Sequence, residues 1–294
     1  MLTYNSVQEL IEAACAQKRK ISELVLEDQA ASLEKTQEQV YDVMRSSFQV
    51  MKEAAASGLQ KESRSASGLT GGSAVKMERA VRSGKSICGK VIGEAIAKAL
   101  AVSETNACMG KIVAAPTAGS CGILPAALLT VMEAYQVQEH DAVMSLFTAA
   151  GFGMVIAKKA SIAGAEGGCQ AECGSASAMA AAALAEVMGG TPQMAGNACA
   201  IALKNILGLV CDPVAGLVEI PCIKRNASGV TNAFTAADMA LAGIESAIPP
   251  DEVIEAMKKI GDAMPNSLKE TAEGGLAVTP TGKKLYQKVF GVKP

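Results

Sequence analysis

A chain of 294 residues is long enough to bury a large core, and its net charge of −2 and pI near 5.7 provide no basic field of the kind that draws nucleic acid. Half the residues are hydrophobic, yet only 3% are aromatic and tryptophan is absent, so alanine, glycine and methionine must fill the interior, which favours closely packed helices over sheets. Nine cysteines, an odd number at irregular spacing, do not read as a disulfide framework and point to a reducing, cytoplasmic setting.

The opening stretch MLTYNSVQELIEAAC is polar and lacks the basic segment and apolar run of a signal peptide. Ser6-x-x-Glu9 predicts a capping box that opens a first helix. A second, long amphipathic run follows, with Leu33, Val40, Met44, Phe48, Met51 and Ala55 at three- and four-residue steps and Gly58 as its stop. These first helices, within residues 1–57, are more charged than the rest and suit an outer layer or a partner surface. Further helices are predicted from near Ala74 and over residues 89–102, 123–136, 142–159, 173–188, 194–209, 231–246 and 250–264. No strands alternate with them and no repeat is visible, so the expected fold is all-α, one helical domain over residues 1–294. Residues 112–132 are uncharged and long enough to span a bilayer, but Pro116, Gly119, Gly122 and Pro125 break the run. A buried loop followed by a core helix is the expectation, with no membrane partner.

Residues 164–222 hold five of the nine cysteines among glycines, alanines and prolines. Cys169 lies in a Gly-rich turn before an Ala-rich run, where the positive end of a helix favours thiolate. Cys211 precedes Asp212 and Pro213, and Cys222 follows Pro221, both where a helix is not expected to continue. Three cysteines at turns can converge on one point. With a single histidine, His140, mixed Cys/His zinc ligation is nearly excluded, which leaves all-thiolate sites: zinc, copper(I) or an iron–sulfur cluster. No C-x-x-C occurs, and small buried cysteines in an alanine-rich core are the competing reading.

The second cysteine lies 42 positions beyond the first and the third 11 beyond that, in the contexts EGGCQAECG, CDPVAG and IPCIKRN. Together with SGLTGG at 67–72, PTAGSCGILP at 116–125 and NASG at 226–229, these segments resemble the iron–sulfur-dependent L-serine dehydratases, in particular their separate alpha chain, over nearly all of the sequence. The resemblance implies a 4Fe-4S cluster held by Cys169, Cys211 and Cys222, with its fourth iron open to substrate and Gly-rich loops lining the cluster site. It leaves Cys15, Cys88, Cys108, Cys121, Cys173 and Cys199 as structural. It implies conversion of L-serine to pyruvate and ammonia, with the open iron as a Lewis acid on the hydroxyl. In that family a beta chain or a fused α/β domain accompanies the helical part, and a separate beta chain is expected here.

The loop at 57–73 reads either as a flexible polar linker or as an anion cradle. In the second case Ser67 and Thr70 supply hydroxyls and Gly71 and Gly72 inward-turned N–H groups ahead of a helix. The resemblance favours substrate binding. Ser120, in the second small-residue turn, could face the carboxylate or the cluster's surroundings, with tight helix packing as the rival. Asn226 and Ser228 suit substrate contact or plain turns. Lys224 and Arg225 suit either thiolate compensation or a solvated pair. No base stands out: His140 reads as a surface or capping residue, and Lys111 and Glu166 have no support. A cluster-dependent L-cysteine desulfidase or L-threonine dehydratase, a pyridoxal-phosphate dehydratase, and a non-enzymatic scaffold or redox sensor are the other readings.

Overall fold

The computed structural model describes residues 4–60 and 62–292. Outside it fall residues 1–3 at the head of the polar opening stretch, residue 61 in the loop expected at 57–73, and residues 293–294 at the carboxyl end. The described chain is all-α. Its helices are α1 (Val7–Gln17), α2 (Ile21–Ser32), α3 (Gln37–Gln60), α4 (Ser73–Arg82), α5 (Gly89–Ala107), α6 (Ile123–Tyr135) and α7 (Glu139–Lys159), followed by α8 (Gly164–Gly167), α9 (Ser175–Val187), α10 (Pro192–Lys204), α11 (Cys222–Leu241), α12 (Pro250–Ala263) and α13 (Pro280–Phe290). Among the described residues there is no strand, only an isolated parallel bridge between Cys211 and Lys269.

The Ala-rich α9 is the axis of the fold. All its residues from Ser175 to Glu186 are buried, and it packs against α6, α7, α10 and α11. Alanine costs no side-chain entropy in a helix and lets neighbouring backbones approach closely, which a large aromatic would prevent. Helices α1 to α3 join the same core through Val7, Leu10, Ile11, Ile21, Val25 and Phe48.

Three helix N-termini are held by carboxylates from distant helices. Asp251 accepts from the Val7 and Gln8 N–H groups at 3.0 and 2.9 Å. Glu186 accepts from Ile21 N–H at 2.8 Å and from the Thr148 hydroxyl at 2.6 Å. Glu104 accepts from Ser73 and Ala74 N–H at 2.7 and 3.2 Å. Each carboxylate satisfies orphan donors at the positive end of a helix and ties two elements together.

The amino-terminal expectation needs correcting. Residues 7–60 form three helices instead of two, and Leu33, expected inside the long run, is the half-exposed C-cap residue of α2. Gly58 does not end α3; it sits in the last turn, where a Cβ would collide with the Ala101 carbonyl of α5. Close packing, not termination, is what requires glycine there. Helix α11 starts at Cys222, nine positions before the expected start. The polar and glycine residues of CIKRNASGV hide the helical period, but tertiary contacts sustain it. The helix α13 was not anticipated, although Thr279, Pro280 and Gly291 mark its two ends.

The uncharged run at 112–132 resolves into an irregular segment and the start of α6, whose residues Ile123 to Val131 are all buried. Among the described residues one helix, α7, is long and apolar enough to cross a membrane, and 67% of its apolar window is buried inside the molecule.

Candidate cysteine centre

Two helices and two loops carry the three predicted cysteines to one region. Cys169 stands at the start of a π-helical turn, Gln170–Gly174, that runs into α9. Cys211 is fixed by the isolated bridge, its N–H donating to Leu268 C=O and its C=O accepting from Glu270 N–H, both at 2.9 Å. Cys222 is the first residue of α11, so its backbone begins a helix where the sequence suggested a break. The three are free thiols, only 2%, 3% and 7% exposed.

Charge on Cys169 bears on both of the other thiols. Burial pushes the Cys222 thiol up to about 12, and charge on Cys169 adds to the shift. Cys211 is raised by burial and then by Cys169, Glu270 and Cys222. Cys169 goes the other way: its pKa is lowered, first by a hydrogen bond from Cys173 and then by the Arg225 guanidinium, against the effect of burial. Among the described residues no group of three or more His, Cys, Asp or Glu side chains is placed to hold a metal ion.

Of the remaining cysteines, Cys121, Cys173 and Cys199 are buried, whereas Cys15 and Cys88 are exposed and Cys108 is half-buried, so the core reading fails for those three. Cys173 is more than packing, because its thiol is what draws Cys169 down while its own pKa is raised.

Charged groups surround the thiols. Arg225 donates to Asp212 Oδ1 and to Val210 C=O, each at 2.8 Å, and Asp212 Oδ2 accepts from Leu276 N–H at 2.8 Å. This is a part-buried ion pair in which Asp212 is buried, not a solvated one, and Arg225 also acts on Cys169. Lys224 is exposed. Glu172 projects from the π-turn to the Thr117 hydroxyl and Gly119 N–H, and its carboxyl is raised, by burial first and by Glu270 in addition. Gly164 lies where three of these groups meet: a Cβ there would be 3.0 Å from Cys211 Sγ, 3.3 Å from Glu270 Oε2 and 3.5 Å from Glu172 Oε2. A cavity of about 380 Å³ beside Arg225 is lined by Cys173, Asn205, Ser228 and Gly229 among others.

The predicted substrate residues fall in two loops and, for Asn226, in the first turns of α11. The first binds anions, but the anions are its own. Ser67 Oγ donates to Glu219 Oε1 at 2.7 Å and Thr70 Oγ1 to Glu219 Oε2 at 2.6 Å, while Glu104 takes the N–H groups at the start of α4. Gly71 and Gly72 have φ of +140° and +76°, which a side chain would strain. In the second loop Ser120 is buried and shares a hydroxyl contact of 3.0 Å with Thr117, which in turn donates to Glu172. Asn226 is fully buried and cross-braces this loop to α11. It donates to Gly119 C=O at 2.7 Å and Cys222 C=O at 3.0 Å and accepts from Gly122 N–H at 2.8 Å. His140 is exposed and contacts Tyr41 at 3.1 Å, while Glu166 accepts from Ser161 at 2.6 Å.

Four carboxylates escaped the sequence reading: Glu172, Asp212, Glu219 and Glu270. Glu172 was the most accessible, one helical turn beyond Cys169 in EGGCQAEC. Glu270 had no local signal, because the bridge that places it joins segments nearly sixty residues apart.

The family model described as serine dehydratase alpha chain matches residues 16–277. The chain is 53% identical to the probable L-serine dehydratase alpha chain of Bacillus subtilis, over 98% of this chain and 96% of that one. It is 48% identical to the L-serine dehydratase alpha chain of Peptoniphilus asaccharolyticus, over 96% of both. It is also 39% identical to the L-serine dehydratase of Streptomyces coelicolor, matching 94% of this chain but 61% of that longer protein. With the alignment running through both loops and all three cysteine segments, the chain belongs to the serine dehydratase alpha chain family.

Proposed function

We propose that this chain is the cluster-bearing part of an enzyme that converts L-serine to pyruvate and ammonia, with Cys169, Cys211 and Cys222 as ligands of a 4Fe-4S cluster. The observation that carries the reading is the gathering of three buried thiols, distant in sequence, around Arg225 and Glu172. The donor set suits the group. Thiolates on one cluster bind different irons, so they stand further apart than the ligands of one ion. The raised pKa values of Cys211 and Cys222 are those of buried donors without enough positive charge nearby, and bound iron would supply it. When bound, such a cluster supplies a Lewis acid that helps serine's hydroxyl to leave.

The chain's own residues have separable tasks in this reading. Arg225, held by Asp212, offsets thiolate charge. Glu172 keeps a proton more readily than an ordinary carboxyl and can hold or pass one at its Oε atoms, supported by Thr117 and Ser120. Gly71 and Gly72 offer backbone N–H groups to the serine carboxylate, while Asn226 holds the second loop against α11. Removing water from serine first yields aminoacrylate, which becomes pyruvate and ammonia through its imine.

A separate beta chain completes the enzyme in this proposal. Two relatives are named alpha chains, and the longer Streptomyces coelicolor protein extends well beyond the matched region. The nine free cysteines suit a reducing cytoplasm. Anaerobic co-purification with the beta chain, followed by a serine-to-pyruvate assay with and without iron restoration, tests the reading. Iron-dependent turnover of serine supports it, and turnover that ignores iron defeats it.

A further inference from the structure

The chemistry of the first loop points inward. Its backbone folds back on itself through Ser65 N–H to Thr70 C=O at 3.1 Å, and its serine hydroxyls brace one another, Ser65 Oγ to Ser67 Oγ at 3.1 Å. Ser67 and Thr70 then grip both oxygens of Glu219, a carboxylate only 8% exposed. Glu219 lies in the connection between Cys211 and Cys222, and its own C=O accepts from Ile223 N–H at 3.1 Å in the first turn of α11. The carboxylate clamped by the loop therefore belongs to a residue whose backbone is already part of the start of the helix bearing Cys222 and Arg225.

We propose that Glu219, gripped by Ser67 and Thr70, is a positioning residue that fixes the start of α11 and with it the Cys222 thiol. Two hydrogen bonds to one carboxylate remove its rotation as well as its desolvation cost. The restraint passes along the immobilised Glu219 side chain to its backbone C=O, which accepts from Ile223 N–H. Without the clamp, a buried carboxylate is left unpaired next to the helix start, and the first turn of α11 opens more often. On this view the hydroxyls of the loop act on the metal-ligand geometry and not on the substrate. The proposal rests on the cluster reading for its importance to the enzyme, but the clamp itself can be tested without the cluster.

The test uses the full chain without cluster, alkylated with iodoacetamide and followed residue by residue by mass spectrometry. The variants are Ser67→Ala with Thr70→Val, and Glu219→Gln; Ser67→Thr and Thr70→Ser keep the hydroxyls. Cys222 should label about tenfold faster in the first two, with Cys199 unchanged and the hydroxyl-retaining variants like wild type. Combining Glu219→Gln with the loop pair should add little, because both remove one interaction. Unchanged labelling of Cys222, or equal acceleration at Cys199, overturns the proposal, the latter showing general loosening. In the assembled enzyme with its partner chain, the same variants should lose iron faster to a chelator while KM in the loaded fraction stays within about twofold. A KM raised about tenfold with wild-type iron retention would overturn the proposal and make the hydroxyls substrate ligands. A wild-type chain that takes up no iron would defeat the cluster reading alone, leaving the labelling result to decide the clamp.

Discussion

Cys199 and Cys169 are both buried in alanine-rich surroundings, yet they are chemically opposite. Cys199 sits inside α10, where its thiol is pushed well up by burial, with nothing cationic acting on it. Cys169 stands where a π-helical turn opens, and hydrogen bonding from Cys173 together with the Arg225 charge outweighs the same burial. Burial alone holds a thiol protonated, whereas a neighbouring donor and a nearby guanidinium favour thiolate at Cys169. The comparison also shows why the count of cysteines was a poor guide, since the difference lies in neighbours that the sequence does not place side by side.

The largest expected effect breaks the comparison at its centre. Changing Cys169, Cys211 or Cys222 singly to serine should abolish iron retention and reduce activity by about a hundredfold or more, whereas Cys199→Ser should keep both and cost about 1–3 kcal/mol of stability from a buried hydroxyl. Iron analysis and thermal denaturation separate the two classes.

Arg225→Met should come next. It leaves Asp212 buried and unpaired, at a cost of about 3–5 kcal/mol, and it raises the Cys169 pKa, so that alkylation of that residue in the cluster-free chain shifts to higher pH. Gly164→Ala should then lower activity by about tenfold with little change in melting temperature, because the added carbon enters the space between Cys211, Glu172 and Glu270 without disturbing the core.

The smallest effect concerns Glu172. Its folded-state pKa lies above the ordinary value of 4.5, so the folded chain holds this proton where the unfolded chain has released it. The group therefore costs stability as pH rises from about 4.5 through the folded pKa. Glu172→Gln should make the cluster-free chain more stable than wild type at neutral pH, and denaturant titrations should show the gap closing as pH falls below that window. A gap that widens in acid would mean that the carboxylate, not the acid, is what the site stabilises.

The sequence revealed what is local. The π-turn cysteine, the Ala-rich core helix and the two small-residue loops were legible because composition and spacing carry them. The start of α11 was not, because the polar and glycine residues of CIKRNASGV mask the helical period, and the hydrogen bonds that Asn226 and Glu219 make there are not readable from spacing. Nor were the partners of Ser67 and Thr70: an anion cradle was recognisable, but that its anion is Glu219, about 150 residues on, depends on the fold. The same holds for Glu270, which reaches Cys211 only through an isolated bridge.

The most direct test of the account is the iron and acid-labile sulfide content of the anaerobically purified enzyme, wild type beside Cys222→Ser. The account predicts about four of each per wild-type chain and almost none in the variant. Sulfide-free wild type that still dehydrates serine, or a variant that retains a full complement, would contradict it.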